Sequence, residues 1–122
     1  MRYIMIALFL MMTLPLSAVE IKEQRGLASW YGASHQGRPT ASGEPFDKDK
    51  FTAAHRTIKF GTIMRVTNLL NNKETDVRIN DRGPSDKYPD RIIDVSEAAA
   101  ISLGFKGAGL VKVKIRRVDD IR

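Results

Sequence analysis

Apolar and polar residues alternate one by one in several short runs of this chain of 122 residues. The run 111–116 places Val and Ile on one side and Lys and Arg on the other, which is typical of a strand with one buried face. The runs 63–67 and 77–79 alternate in the same way, and Asn71 and Asn72 lie between them. Asparagines favour tight turns, so these two runs predict a β-hairpin.

One helix is predicted between Ser96 and Gly104. Ser96 is a favourable N-cap, Glu97 suits the first turn, and Gly104 can end the helix. Residues 98–103 are mostly alanine, isoleucine and leucine. Several short strands with one short helix favour a small β-barrel, because an open sandwich needs more strands than the sequence offers.

The first 18 residues are predicted to be a secretory signal. Arg2 is their only charged residue and an apolar run extends to Leu16, as in the n- and h-regions of signals. Cleavage after Ala18 would leave a short lead-in, 19–25, and one domain, 26–122. An uncleaved inner-membrane anchor is the alternative, although the run is short for a bilayer span. We expect an exported protein of the periplasm or cell envelope, with no stable membrane attachment after cleavage.

The chain contains no cysteine. Exported domains of this size often rely on disulfides, so packing and backbone pairing must stabilise this one. A domain of about 100 residues buries enough surface for that. Without an N-terminal cysteine the protein is not expected to be a lipoprotein, and we expect it to be a monomer.

The chain after residue 18 is basic, with 19 Lys and Arg against 14 Asp and Glu, a formal charge of +5. Such a domain can attract anionic wall polymers, lipid head groups or nucleic acid. The basic residues are spread along the chain and no nucleic-acid motif interleaves them with aromatics, so no nucleic-acid partner is expected. A solvated surface is the simpler explanation of the charge.

Three residues in different segments can carry acid/base chemistry. Asp81 lies in RINDRGPSD, Glu44 in GRPTASGEPFD and His55 in TAAHRT. Carboxylates with a histidine, set among turn residues, are what cleavage of a sugar chain requires. Asp81 follows an alternating strand and precedes a Gly-Pro bend, which predicts a carboxylate at the mouth of the barrel. The structural alternatives are a turn-capping aspartate, an exposed loop glutamate and a packed histidine.

Two neighbouring aromatics, Trp30 and Tyr31, are candidates for stacking on a sugar ring. A single tryptophan in a small barrel is more often part of the core, so Tyr31 is the better candidate for a glycan groove. Thr40 and Ser42 can orient a carboxylate or a sugar hydroxyl. Asp94 precedes the predicted helix, and we interpret it as a structural residue of the helix entry.

Blocks along the chain, in order, resemble the rare lipoprotein A family of septal lytic transglycosylases. They are ASWYG, GRPTASGEPFD, TAAHRT, GTIMRVTNL, RINDRGP, RIIDVSEAAAISLGF and the closing valine-rich strand. The resemblance implies a six-stranded double-psi β-barrel, related to expansins and to endoglucanases of the same barrel type. It also implies peptidoglycan glycan strands as partner and substrate, particularly strands without stem peptides.

By the same resemblance the catalytic residues fall on Asp81, Glu44 and His55. In lytic cleavage one group protonates the glycosidic oxygen, and the same group or a neighbour takes the proton of the muramic acid 6-hydroxyl. Asp81 is predicted to be that acid/base. Glu44 would act by charge repulsion or by stabilising positive charge on the sugar, and His55 would orient Asp81 or relay the proton.

Substrate contacts are assigned to Tyr31, Thr40, Ser42 and Arg82. His35 stands where members of the family commonly have an aromatic such as phenylalanine. The lipid-attachment cysteine and the C-terminal glycan-binding repeat of many members are not found in this sequence, so the sequence gives no support for septal recruitment.

Lytic transglycosylation is the leading function, and two alternatives remain open. One is an expansin-like wall-binding protein without turnover. The other is a hydrolase in which Glu44 and Asp81 flank the bond and water attacks. The acids and the two histidines do not form a metal-ligand pattern, so no metal and no other cofactor is expected.

Overall fold

A computed structural model of the protein describes residues 22–121. Six strands and one α-helix form this part of the chain, with short 3-10 helices at Ala33–His35 and Val118–Asp120. The strands are β1 (Glu23–Tyr31), β2 (Thr52–Ala54), β3 (Ile63–Asn68), β4 (Glu74–Asp81), β5 (Arg91–Ser96) and β6 (Val111–Arg117), and the helix is α1 (Glu97–Leu103). The signal predicted at 1–18 lies outside the described residues. β1 begins inside the segment 19–25 that we assigned to a lead-in.

The strands close into a barrel in the order β1-β5-β2-β4-β3-β6. β1 pairs with β5, and β2 with β4, in parallel, whereas the other neighbours are antiparallel. Closure pairs each strand on both sides, which satisfies its backbone groups. The predicted fold class, a mainly β, six-stranded double-psi barrel with one short helix, is confirmed.

The alternating runs place their apolar side chains inside the barrel. β3 and β4 form the predicted hairpin, and β6 is the predicted closing strand. Their inward side chains are almost completely buried: Met64, Val66, Val77, Ile79, Val113 and Ile115. Each such side chain contributes roughly 1.5–3 kcal/mol when it leaves water, so the core stabilises the barrel without disulfides.

Helix α1 begins and ends at the predicted residues. The Ser96 hydroxyl accepts a hydrogen bond from the Ala99 N–H, as an N-cap does. Gly104 follows the helix with φ of 80°, in the left-handed region that favours glycine. No helix within residues 22–121 is long and apolar enough to cross a bilayer.

Three strand pairings place four residues side by side in one row across the sheet, and two of these residues are aspartates. Ser29 of β1 pairs with Asp94 of β5, Asp94 pairs with Ala54 of β2, and Ala54 pairs with Asp81 of β4. The residues beside this row are buried in the core: Ala28, Ala53, Ile79, Ile93 and Val95. Because side chains alternate between faces, the row itself faces the outside of the barrel.

A register shift in the β2–β4 pairing aims Asp81 at this face. Ala53 pairs with Ile79, but the next residue, Ala54, pairs with Asp81, so Asn80 is an extra residue in β4. Without the extra residue, Asp81 would point inward with Ile79. Bulges commonly re-aim a side chain next to a functional site.

Candidate active site

Two carboxyl groups share the outer face of the barrel. Asp81 and Asp94 lie two strands apart, on either side of Ala54, so the sheet spacing separates their Cα atoms by about 10 Å. Gly83 lies beside Asp94 and Ala54, since a Cβ on it would be 3.5 Å from Asp94 Oδ2 and 3.7 Å from Ala54 Cβ.

Asp81 is held in place by backbone donors. Its Oδ1 accepts hydrogen bonds from the Ala41 N–H at 2.9 Å and from the Arg82 N–H at 2.8 Å. Its Oδ2 faces the Tyr31 hydroxyl at 3.5 Å. One oxygen is thus fixed by the backbone, while the other remains available to a ligand. Sequence reasoning predicted this carboxylate at the mouth of the barrel, whereas the structure places it at the end of β4 on the outer face.

Asp94 is the functional candidate that sequence reasoning missed. It accepts a hydrogen bond from the Ser29 hydroxyl. Burial raises the pKa of Asp94 and the charge of Asp81 adds to this, whereas the Ser29 bond and the nearby Arg91 and Arg56 oppose it in part. A carboxyl that keeps its proton more readily than usual suits proton donation.

A signal for Asp94 was present in the sequence. The residue stands inside the run Ile-Ile-Asp-Val-Ser, where an acid in a strand with buried neighbours costs free energy unless it has a partner or a task. Its position just before a helix provided an ordinary structural explanation, which concealed the signal.

Tyr31 lies over Asp81 and has a fixed ring. The ring stacks on Phe46 with centroids 4.3 Å apart and planes inclined by 21°, and His35 contacts its edge at 5.3 Å. Burial raises the pKa of the Tyr31 phenol above its usual value, and the charges of Asp81 and Asp94 add to this effect. The hydroxyl therefore remains a hydrogen-bond donor. Trp30, by contrast, packs against the core.

Glu44 lies in the loop whose Ala41 N–H binds Asp81, but the Glu44 carboxylate has different partners. Its Oε1 accepts hydrogen bonds from Arg78 Nη1 and Asn80 Nδ2, both at 2.7 Å. These two bonds lower the pKa of Glu44, with Arg78 the larger cause. Glu44 is accordingly an ionised carboxylate and unsuited to donating a proton. The carboxyl that shares the outer face of the barrel with Asp81 is Asp94.

Thr40 and Ser42 shape the loop that carries Glu44. The buried Thr40 hydroxyl lies 2.9 Å from the Ser42 hydroxyl and donates to the Glu44 carbonyl oxygen at 2.7 Å. The Ser42 N–H donates to the Asn80 carbonyl oxygen at 3.2 Å. These bonds pin the loop to β4, which explains how the Ala41 N–H reaches Asp81.

His55 is buried and its ring nitrogens are occupied. Nδ1 accepts from the Thr57 and Ile58 N–H groups, each at 3.1 Å, and Nε2 therefore donates to Gln24 Oε1 at 2.8 Å. Burial lowers the pKa of His55 to about 4, and the charges of Arg82 and Arg56 contribute. Its hydrogen bonds do not involve the side chains of Asp81 or Glu44; its backbone N–H donates to the Asp81 carbonyl oxygen at 3.1 Å.

Arg82 ties the loop after β2 to the loop after β4. Its Nη1 donates to the carbonyl oxygens of His55 at 3.1 Å and Ile58 at 2.8 Å. Its guanidinium lies 3.9 Å from the centre of the Phe60 ring. The structure thus brings Asp81, Tyr31 and the Glu44 loop together. The His55 ring and the Arg82 guanidinium bond instead to backbone groups of the loop after β2. Within residues 22–121, no three His, Asp or Glu side chains group as metal ligands.

Comparison with known proteins identifies the family of the chain. Residues 23–115 match a family model described as lytic transglycolase. A Treponema pallidum relative named "Probable endolytic peptidoglycan transglycosylase RlpA" is 52% identical over 103 residues, which cover 84% of this chain and 32% of the relative. A Neisseria meningitidis relative named "Endolytic peptidoglycan transglycosylase RlpA" is 50% identical over 95 residues, covering 78% and 39%.

A solved structure shares the fold. The apo expansin of Clavibacter michiganensis superposes with a TM-score of 0.60 at 22% identity, and the match covers 79% of this chain and 50% of the expansin. The barrel fold is thus a known architecture. The chain spans between 32% and 39% of the length of the two curated relatives above. The family match and these identities together establish that the chain belongs to the rare lipoprotein A family of lytic transglycosylases.

Proposed function

We propose that this protein is an endolytic transglycosylase that cuts peptidoglycan glycan strands, preferably strands free of stem peptides, and thereby remodels the cell wall. The observation that carries the proposal is the pair of carboxyls, Asp81 and Asp94, on one outer face of the barrel beneath the Tyr31 hydroxyl. The names of the curated relatives support the same activity.

Asp94 is the proton donor in this proposal. Its raised pKa keeps a proton available, and the proton passes to the glycosidic oxygen as the bond from that oxygen to the anomeric carbon of the muramic acid breaks. The leaving sugar departs with a free hydroxyl. Positive charge then develops at the anomeric carbon, where the carboxylates of Asp81 and Asp94 stabilise it.

Asp81 is the proton acceptor. Its backbone donors fix Oδ1, while Oδ2 can take the proton from the 6-hydroxyl of the muramic acid. The 6-oxygen closes onto the anomeric carbon and forms the 1,6-anhydro ring. One proton leaves Asp94 and one arrives at Asp81, so no water is consumed, and proton exchange with solvent restores the pair.

Glu44 and His55 have supporting roles. Glu44 is paired with Arg78 and bonded to Asn80, the residue before Asp81, so it holds in place the end of β4 that carries Asp81. A direct catalytic role of His55 remains a prediction. Its hydrogen bonds favour an indirect role, because they fix the loop whose carbonyl oxygens Arg82 holds.

Digestion of peptide-free glycan followed by mass spectrometry tests the proposal. The unmutated protein should release fragments with 1,6-anhydro ends, and Asp81→Asn and Asp94→Asn should each reduce their yield at least about a hundredfold. Fragments heavier by one water would indicate a hydrolase. Binding to sacculi with no fragments would indicate an expansin-like protein.

Thermal unfolding controls for loss of structure in these variants. Because the pKa of Asp94 is raised in the folded protein, ionising it at neutral pH costs folding free energy, and an amide avoids that cost. Asp94→Asn should therefore unfold at the same temperature as the unmutated protein or higher at pH 7.5. If the melting temperature of Asp94→Asn falls strongly, its loss of activity reflects a loss of structure and does not support Asp94 as the proton donor.

We also propose that the protein is exported. The apolar segment with Arg2 at its start supports a cleaved signal and a periplasmic or envelope location, without lipid attachment because the chain has no cysteine. Mass measurement of the protein recovered from the envelope fraction should give an N-terminus at Val19. Recovery of the full-length chain from membranes would favour an uncleaved anchor, and size-exclusion chromatography tests the expected monomer.

A further inference from the structure

Two arginines, each just after one of the parallel strands β2 and β4, bind the loop that follows the other strand. Arg82, after β4, donates to two carbonyl oxygens of the loop after β2. Arg56, after β2, donates in return to three carbonyl oxygens of the loop between β4 and β5. Its Nε bonds to Pro84 at 3.0 Å, and its Nη2 bonds to Ser85 and to Tyr88 at 3.0 Å each. The mechanism above does not use Arg56.

The bonds of Arg56 are suited to holding a loop in one shape. A guanidinium presents several donors in a fixed plane, and hydrogen bonds from a charged donor are stronger than neutral ones. The Arg56 side chain is 25% exposed, whereas Asp86, which pairs with it at 3.3 Å, is 99% exposed. Because an ion pair with a fully exposed acid contributes little, the three carbonyl oxygens are the main partners of Arg56.

The loop that Arg56 holds joins the strands that carry the two carboxyls. It begins after Asp81 at the end of β4 and leads to β5, which contains Asp94. Gly83 of this loop lies beside Asp94 Oδ2. The next residue, Pro84, is buried, and its carbonyl oxygen is one of those that Arg56 binds. Loss of the Arg56 bonds would therefore free the segment that borders the Asp94 carboxyl.

Charged and hydrogen-bonding groups surround Asp94 on all the neighbouring elements. They are Ser29 and Tyr31 of β1, Arg56 after β2, Asp81 of β4 and Arg91 of β5. Burial is the largest influence on the pKa of Asp94 and raises it, whereas the Ser29 bond and the two arginines lower it. Arg91 stacks on the Tyr88 ring at 4.2 Å, and Arg56 holds the Tyr88 carbonyl oxygen. The bonds of Arg56 to the loop thus help to place both positive charges.

We infer that Arg56 is a positioning residue for the proton donor of the proposed reaction. It fixes the loop between β4 and β5, so that Gly83 and Arg91 stay in place around the Asp94 carboxyl. The inference rests on the proposed function, in which Asp94 is the acid. It gives Arg56 two separable tasks, which are to hold the loop by three bonds and to place one positive charge near the acid.

Two substitutions separate these tasks. Arg56→Lys keeps the charge but lacks the planar fork, and Arg56→Gln loses both. Each variant should lower kcat for peptide-free glycan at least about tenfold, because the acid is less well positioned. Hydrogen exchange should become faster at the Tyr88 and Arg91 N–H groups, whose acceptors are the Ser85 and Tyr88 carbonyl oxygens that Arg56 holds. Only Arg56→Gln should move the alkaline limb of the kcat/KM profile to higher pH.

Arg65→Gln is the matched control, because it removes an equal charge and breaks an ion pair with Asp76 on the other side of β4. It should leave kcat and the alkaline limb unchanged. An unmoved limb in Arg56→Gln would overturn the inference, since a purely structural role lowers activity equally at every pH. A limb that moves as far in Arg65→Gln would do the same. If Arg56→Gln does not fold, Arg56→Lys decides, and an undiminished kcat in that variant contradicts the inference.

The carbon-13 shift of the Asp94 carboxyl, followed against pH, provides a readout without turnover. Its midpoint should rise in Arg56→Gln and stay unchanged in Arg56→Lys. If the unmutated protein releases no anhydro fragments, the proposed function fails, and this titration still decides whether Arg56 acts on Asp94. Anhydro fragments together with an unmoved midpoint in Arg56→Gln would defeat the role of Arg56 alone.

Discussion

The position of Asp94 in the barrel is unfavourable for the folding free energy, because it buries most of a carboxyl group. Its neighbours along β5, Ile93 and Val95, are completely buried, and Asp81 lies across Ala54 on the same face. Only the Ser29 hydroxyl bonds directly to its side chain in the described part of the chain. In the proposed mechanism, this arrangement gives up folding free energy to keep a proton donor, which is common at catalytic sites.

Removal of the Ser29 hydroxyl should shift the pH dependence of cleavage. The Ser29 bond lowers the pKa of Asp94, so Ser29→Ala should raise it. An acid must be protonated to act, and activity falls as pH rises through its pKa. The alkaline limb of the kcat/KM profile should therefore move to higher pH in Ser29→Ala. Ser102→Ala, on the exposed side of α1, is the control, and an unmoved limb in Ser29→Ala would argue against Asp94 as the acid.

His55 should make stability depend on pH in a defined window. Its pKa falls from 6.5 to about 4 on folding, so the unfolded chain binds a proton first as the pH drops. The free energy of unfolding should be full above pH 6.5, fall between 6.5 and 4 by up to about 3 kcal/mol, and then level off.

Urea unfolding at pH 7.5 and pH 4.5 measures this loss. His55→Gln should lose most of the dependence, while His35→Gln, on the exposed 3-10 turn, should retain it. If His55→Gln keeps the slope of the unmutated protein, the buried neutral imidazole is not its cause.

At the scale of the elements, local signals predicted some parts and could not predict others. The β3–β4 hairpin, β6 and α1 are specified by alternation, turn residues and caps within a few positions of one another. The parallel pairing of β1 with β5 joins residues more than sixty positions apart, and β2 is three residues long. The Asp81–Asp94 pair depends on those long-range pairings and on the extra residue Asn80, so sequence reasoning could identify Asp81 but not its partner.

The N-cap of α1 should be an important local contribution to stability. The Ser96 side chain is completely buried; it accepts from the Ala99 N–H and donates to the Lys50 carbonyl oxygen at 2.6 Å. Ser96→Ala should therefore lower the free energy of unfolding by about 1–2 kcal/mol. Ser102→Ala, which removes only an exposed bond to Thr75, should lower it by less than about 0.5 kcal/mol. Equal losses in chemical denaturation would refute this assignment.

The whole molecule presents a basic strand to its surroundings. Lys112, Lys114 and Arg116 lie on the outward side of β6, beside Arg25 of β1. The chain after residue 18 has a formal charge of +5. A surface of this kind attracts anionic polymers without sequence or shape specificity, and salt screens the attraction.

Reversal of charge on β6 should weaken adsorption to cell-wall sacculi. In low salt, Lys112→Glu/Lys114→Glu should pellet with sacculi less than the unmutated protein, and the difference should vanish at about 0.5 M salt. Lys59→Glu/Lys87→Glu changes the net charge equally at exposed lysines elsewhere. An equal decrease in both double variants would show that net charge matters and the β6 strand does not.

The pairing of Glu23 with Arg116 joins the start of the first strand to the end of the last. The polypeptide thus enters and leaves the barrel at a single corner. A larger protein can carry such a domain as an insert that is joined to the rest at one place. Linkers of any length on either side would leave the barrel fold unchanged.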